Sequence, residues 1–166
     1  MNEQDAKDRF RILVCLDGSD ECYQSLRYAA KLGGGVDADI VLLYVRPTDQ
    51  GLRSGGLQVR VARENMLKWG IELPGIQYLK KGRDMLKDLD VMSGNDWKEE
   101  VVHTDVDGDP LGDNKINYVN EQGKMVVLKL KVATDIATGI LEQWELGEYD
   151  IIILGASNRW KGMARS

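Results

Sequence analysis

A single histidine, two cysteines, one phenylalanine and three prolines in 166 residues exclude several chemistries at the outset. His103, the lone histidine, cannot build a multi-histidine metal centre, and a Ser-His-Asp triad would depend wholly on it. It lies in an irregular stretch with no recognisable nucleophile motif, so a surface histidine is the default. Cys15 and Cys22 are too few for a disulfide framework, and their placement in a strand core and on a helix face makes them buried free thiols. No apolar run approaches the roughly 20 residues that a membrane-spanning helix needs. Acidic residues outnumber basic ones by 27 to 22, for a net charge of −5, and no Lys/Arg cluster is interleaved with aromatics. Such a chain repels nucleic-acid backbones at long range, although a small anion can still be held by backbone N–H groups. The opening Met1-Asn2-Glu3-Gln4-Asp5 is polar and acidic, the opposite of a secretory signal, and points to a cytoplasmic location. A Walker loop and the dinucleotide Gly-x-Gly-x-x-Gly fingerprint are both missing. Ser54-Gly55-Gly56 lies after the second strand rather than the first and lacks the acid of an ATP-pyrophosphatase loop.

What is present is an alternation of strands and helices. Arg11-Ile12-Leu13-Val14-Cys15-Leu16 is a continuous apolar run, as expected of a strand covered on both faces, and Asp17-Gly18-Ser19 closes it. Ser19 is placed to cap a helix with Asp20 and Glu21 in its first turn. That helix carries Cys22, Leu26, Ala29 and Ala30 at helical spacing, and Gly33-Gly34-Gly35 stops it. Ile40–Val45 is a second strand, ended by Pro47. Val59, Ala62, Met66 and Trp69 mark one face of a further helix. Met125–Val132 reads as a third strand, leading into a helix that starts at Asp135, carries Ile136, Ile140, Leu141 and Trp144 on one face, and ends at Gly147. Tyr149–Leu154 is a fourth, with Gly155 opening the loop after it.

This rhythm predicts one α/β domain over residues 1–166, a doubly wound, mainly parallel twisted sheet of strand order 3-2-1-4 with helices on both faces. Residues 73–123, rich in Asp, Gly and Asn, break the rhythm and read as an insertion. Within it, Met85, Leu86 and Leu89 suggest a short helix. Lys115–Val119 suggests a hairpin with the third strand around Asn120-Glu121-Gln122-Gly123.

Ligands of open parallel sheets bind beyond the carboxyl ends of the strands, which singles out the Asp17 loop and the Gly155 loop. With these two ends in place, residues 11–46 and 124–162 resemble the universal stress protein family. Its first strand ends in Asp-Gly-Ser, its second ends near a valine, and a late strand reads Tyr-Asp-apolar-apolar-apolar-x-Gly. The resemblance implies a stress-response or signalling module, a homodimer, and an adenine nucleotide (ATP or AMP, with magnesium). It implies that Asp17 meets the ribose or the adenine edge, that Cys15 and Val45 line the adenine slot, and that Leu154 and Gly155 pass under ribose and phosphates. Gly18, Ser19, Ser157 and Asn158 would complete the phosphate surroundings. Nucleotide-binding members carry Gly-x2-Gly-x9-Gly-Ser/Thr, whose second glycine falls here on Asn158 and whose closing pair would fall past Ser166. The fifth strand is missing too, so a chain that continues beyond Ser166 is expected.

Each residue also has a plainer reading. Asp17 can simply organise a turn, Ser19 cap the helix and Gly155 turn the chain. Asp105, Asp107, Asp109 and Asp113 begin like a calcium loop, yet Pro110 stands where glycine is needed and Ile116 where glutamate is needed, so a solvated acidic turn is the better reading. No catalytic set emerges, and slow ATP hydrolysis is the most that the resemblance implies. The alternative function is an interaction module of the same fold that dimerises without nucleotide.

Overall fold

The computed structural model describes residues 9–35, 37–48, 75–106 and 109–155. Six strands form one sheet: β1 (Phe10–Cys15), β2 (Ala38–Pro47), β3 (Lys98–Val106), β4 (Asp109–Val119), β5 (Met125–Ala133) and β6 (Ile151–Leu154). Among the described residues three helices accompany them: α1 (Asp20–Gly35), α2 (Ile76–Asp88) and α3 (Ile136–Leu146). The order across the sheet is β3-β4-β5-β2-β1-β6, with β5, β2, β1 and β6 parallel and β3 and β4 antiparallel. The parallel block is therefore the expected 3-2-1-4 arrangement, extended beyond its third member by two antiparallel strands.

Side-chain alternation divides the core. Ile12, Val14, Ile40, Leu42, Tyr44, Leu128 and Leu130 face α1 and α2, which contribute Leu26, Ala29, Leu79 and Leu86. Leu13, Cys15, Val41, Leu43, Val45 and Val127 face the other way, against Ile140 of α3. Helices thus cover both faces, and the continuous apolar runs are explained: in β1 and β2 both sets of side chains are buried. Asp135 caps α3, accepting from the Thr138 amide at 2.8 Å, as the acid before that apolar face suggested.

The stretch read as an insertion is structured. It supplies α2, β3 and β4, and Asn120–Gly123 turns the chain from β4 into β5 as expected, the Gly123 amide donating to the Asn120 carbonyl at 3.0 Å. The helix there is longer than the suggested segment. Its buried positions are Ile76, Leu79, Gly82 and Leu86, so a glycine interrupts the apolar stripe that would have announced it. At Gly82 an added Cβ would lie 2.9 Å from a methyl of Leu42 and 3.0 Å from one of Leu16, so α2 rests close on the sheet. β3 was missed because nearly every residue in it is exposed, leaving no buried face for a sequence to announce. α1 runs through the three glycines expected to stop it. The helix read over residues 59–70 lies outside the described residues.

One carboxylate ties the amino ends of three strands together. Asp39, 6% exposed, accepts at the same oxygen from Arg9 Nε and from the Met125 amide, each at 2.8 Å. Arg9 also grips the exposed Asp37 through both Nη atoms at 2.9 and 3.0 Å, and this hydrogen bonding holds the Asp37 carboxyl below its usual range. Replacing Asp39 by alanine leaves Arg9 Nε and a strand amide without their acceptor, so Asp39→Ala is expected to cost about 3 kcal/mol in urea unfolding. Asp37→Ala, at the exposed end of the same arginine, is expected to cost less than about 1 kcal/mol. Equal losses in the two variants would contradict this division.

Candidate functional site

β1 and β6 are paired in parallel with Cys15 opposite Leu154, so the segments that follow them leave the sheet side by side. The Leu16 amide extends the ladder by one rung to the Leu43 carbonyl at 2.8 Å. Beyond it, Asp17 Oδ1 accepts from the amide and the hydroxyl of Ser19 at 2.9 and 2.5 Å. The Ser19 hydroxyl oxygen in turn accepts from the Cys22 amide at 3.3 Å, capping α1. Asp17 and Ser19 therefore perform the structural tasks that turn chemistry suggested, and they do so as one unit.

Gly18 between them has a φ of 84°, and a Cβ there would lie 2.6 Å from the ring of Tyr78 on α2. Only glycine suits both the backbone and the space. Gly155 is buried against the first turn of α1, where a Cβ would come within 2.8 Å of both the nitrogen and the Cα of Cys22. Asp17 and Gly155 are thus at the same end of the molecule, on loops that meet across α1. Ser157 and Asn158 lie outside the described residues.

Three tyrosines gather on the α1/α2 face beside this junction. The Tyr23 hydroxyl donates to the Tyr78 carbonyl at 3.1 Å, and the rings of Tyr44 and Tyr78 are 5.7 Å apart. Tyr23 and Tyr44 are buried while Tyr78 is 41% exposed, making it the ring that solvent or a ligand meets. Sequence reasoning passed over all three: Tyr44 sits inside an apolar strand, and Tyr78 belongs to the stretch read as an insertion. Arg46, wholly buried two residues after Tyr44, was likewise missed because it continues β2 past the point where the apolar run stops.

Cys15 and Val45 are placed differently from an open slot. Both are in the core beneath α3, at 1% and 4% exposure. Val45 packs so tightly on α3 that a Cβ at Gly139 would lie 2.5 Å from its methyl. Burial pushes the Cys15 thiol up to about 12 and raises that of Cys22, so both remain protonated at neutral pH. The first turn of α1 carries Asp20 and Glu21, which offset the positive end of its dipole.

Leu154 is 48% exposed and ends a groove of about 530 Å³ that runs between the outer edge of β6 and α1. Glu21, Gln24, Ser25, Tyr28, Ile152 and Ile153 line the rest of it.

The acidic stretch read as a turn is the far end of the β3–β4 hairpin. Asp105 is exposed on β3, beside His103 Nε2 at 3.1 Å, and His103 Nδ1 is 3.0 Å from Asn114 Oδ1. Asp109 pairs through its backbone with Val106, and Asp107 lies outside the described residues. Asp113 is committed to the sheet, accepting from the Val132 amide at 2.8 Å. Among the described residues no group of three or more His, Cys, Asp or Glu side chains is arranged to hold a metal ion. No described helix is long and apolar enough to cross a membrane.

Comparison with known proteins bears on the architecture. The chain covers 93% of its length, and 87% of the other chain, in a superposition on the crystal structure of a protein from the universal stress protein family from Burkholderia pseudomallei. The TM-score is 0.51 at 16% identity, a likeness of fold. No curated protein matches the chain. A family model described as "Universal stress protein family" matches residues 9–164, and with nearly the whole chain accounted for, the protein belongs to the universal stress protein family.

Proposed function

We propose that the protein binds an adenine nucleotide, ATP or AMP, at the carboxyl ends of β1 and β6 and serves a stress-response or signalling role. The observation that carries this reading is the meeting of the Asp17 and Gly155 loops, the place where open parallel sheets bind ligands. Asp17 accepts from the ribose hydroxyls or the adenine edge. The Tyr78 ring over Gly18 offers a face on which the base stacks. The phosphates pass over Gly155, which Ser157 and Asn158 follow in the chain. Magnesium accompanies the phosphates of ATP. The reading is one of binding, and it assigns no catalytic residue; turnover of ATP, if measured, is slow.

A second reading, a dimerising interaction module in the cytoplasm, is favoured by two features. Cys15 and Val45 are closed off by α3, and the outer edge of β6 is bordered by a groove that Ile152, Ile153 and Leu154 line on the strand side. The two readings differ in what stabilises the protein.

Calorimetric titration with ATP and with AMP in physiological magnesium is expected to show binding to one site per chain. Asp17→Ala is expected to weaken it about tenfold, a loss of roughly 1.4 kcal/mol, with the circular dichroism of the fold retained. The absence of both heat and thermal stabilisation at millimolar nucleotide, together with a stable dimer in light scattering, would instead establish the second reading. Tyr78→Ala is expected to reduce nucleotide affinity about tenfold through loss of stacking, whereas Tyr78→Phe keeps the ring and the affinity.

A further inference from the structure

Cations cluster on the α3 side of the β4–β5 pair, toward the same end of the sheet as the carboxyl-end loops but displaced sideways, with β2 between β5 and β1. Along β5, Val126, Leu128 and Leu130 point toward α1 and α2, which puts Lys129 and Lys131 on the opposite face with Val127. On β4, Ile116 and Tyr118 belong to the α2 side, which puts Lys115 and Asn117 on the same face as those two lysines. Lys115 and Lys129 are directly opposite each other in the antiparallel register, an arrangement of like charges that destabilises a sheet.

Solvation alone does not account for this cluster. The side chains of Lys129 and Lys131 are only 18% and 9% exposed, whereas lysines on a solvated sheet face keep their ammonium groups in water. Their acidic partners neutralise them incompletely. Asp113 stands 3.9 Å from Lys129 Nζ, at the limit of an ion pair, and its other oxygen is engaged by the Val132 amide. Glu142 lies 3.3 Å from Lys131 Nζ and is half exposed. No ion pair ties Lys115 to an acid among the described residues. Burial lowers the proton affinity of Lys129, Asp113 opposes that effect, and Lys131 and Lys115 reinforce it. Beside them the amide oxygen of Asn117 is shut off from water without a partner. Rotating that amide about its bond exchanges oxygen for nitrogen and turns the orphan into a buried donor.

We propose that Lys115, Lys129 and Lys131 form a binding site for a phosphate group, with the Asn117 amide as an additional donor. Three ammonium groups against two carboxylates leave a surplus of positive charge. Lysine suits a phosphate as a point charge rather than through a planar fork. The occupant is free phosphate or the phosphate of a small ester, and its arrival relieves the repulsion between Lys115 and Lys129. The site is independent of nucleotide binding between β1 and β6.

The test compares the thermal midpoint of the whole chain in inorganic phosphate and in sodium chloride at equal ionic strength and pH. With phosphate at about ten times its dissociation constant, the wild-type midpoint is expected to rise by about 3–5 °C. Lys115→Met and Lys129→Met keep the alkyl stems and are expected to abolish the rise, while Asp17→Ala retains it. In lysine-selective NMR of the wild type, phosphate is expected to shift the Lys129 ammonium signal, a readout that does not depend on any variant folding. Equal midpoints in the two salts, a rise that survives both lysine variants, or a rise lost only in Asp17→Ala would each overturn the proposal. Repeating the series with glycerol phosphate separates a site for the free ion, which answers to inorganic phosphate alone, from one that admits an ester. A rise in inorganic phosphate, with or without one in glycerol phosphate, that is lost in the lysine variants supports the assignment.

Discussion

The parallel pairing of β2 with β1 on one edge and β5 on the other is the constraint from which the rest of the molecule follows. Parallel neighbours cannot be joined by a tight turn, so each connection within this block must cross a face of the sheet. The described crossovers, α1 and α3, bury opposite faces, and β2 is left with both sets of its side chains in the core. The same constraint sends every strand of the block in one direction. All of their carboxyl ends emerge together, and the chain leaving β1 meets the chain leaving β6 although they are far apart in sequence.

Those parts of the architecture were legible where burial is two-sided. Continuous apolar runs at β1 and β2 identify parallel strands, and Asp135 before an apolar helical face marks the start of α3. Legibility failed where the packing lacks a pattern of its own. β3 buries almost nothing, and its mostly polar sequence, without period-two alternation, resembles a loop. α2 uses a glycine at a core position, and α1 extends over three glycines despite their weak helix propensity.

A similar limit applied at the candidate site. Chain order was enough to bring Asp17 and Gly155 together, because it depends on topology. Which face Cys15 and Val45 address was not readable, since a strand buried on both sides gives no sign of which parity lies under which helix. The tyrosines around Gly18 arise from three separate elements, and nothing local in the sequence links them. Charge is distributed just as unevenly. An acidic chain places Asp17, Asp20 and Glu21 where β1 and β6 finish, and gathers lysines across the β4–β5 pair, on the other side of β2. Any anion therefore meets two very different electrostatic surroundings on one sheet.

Gly82 gives the site a remote adjustment. Because no side chain stands between α2 and Leu42, the helix axis settles at a depth fixed by its backbone, and Tyr78, one turn earlier, is lowered onto Gly18. A methyl group wedged in at residue 82 would act as a lever, tilting the ring up and away from the loop. The height of that aromatic ceiling is therefore set by a hydrogen atom in the interior, out of reach of anything that binds beneath it.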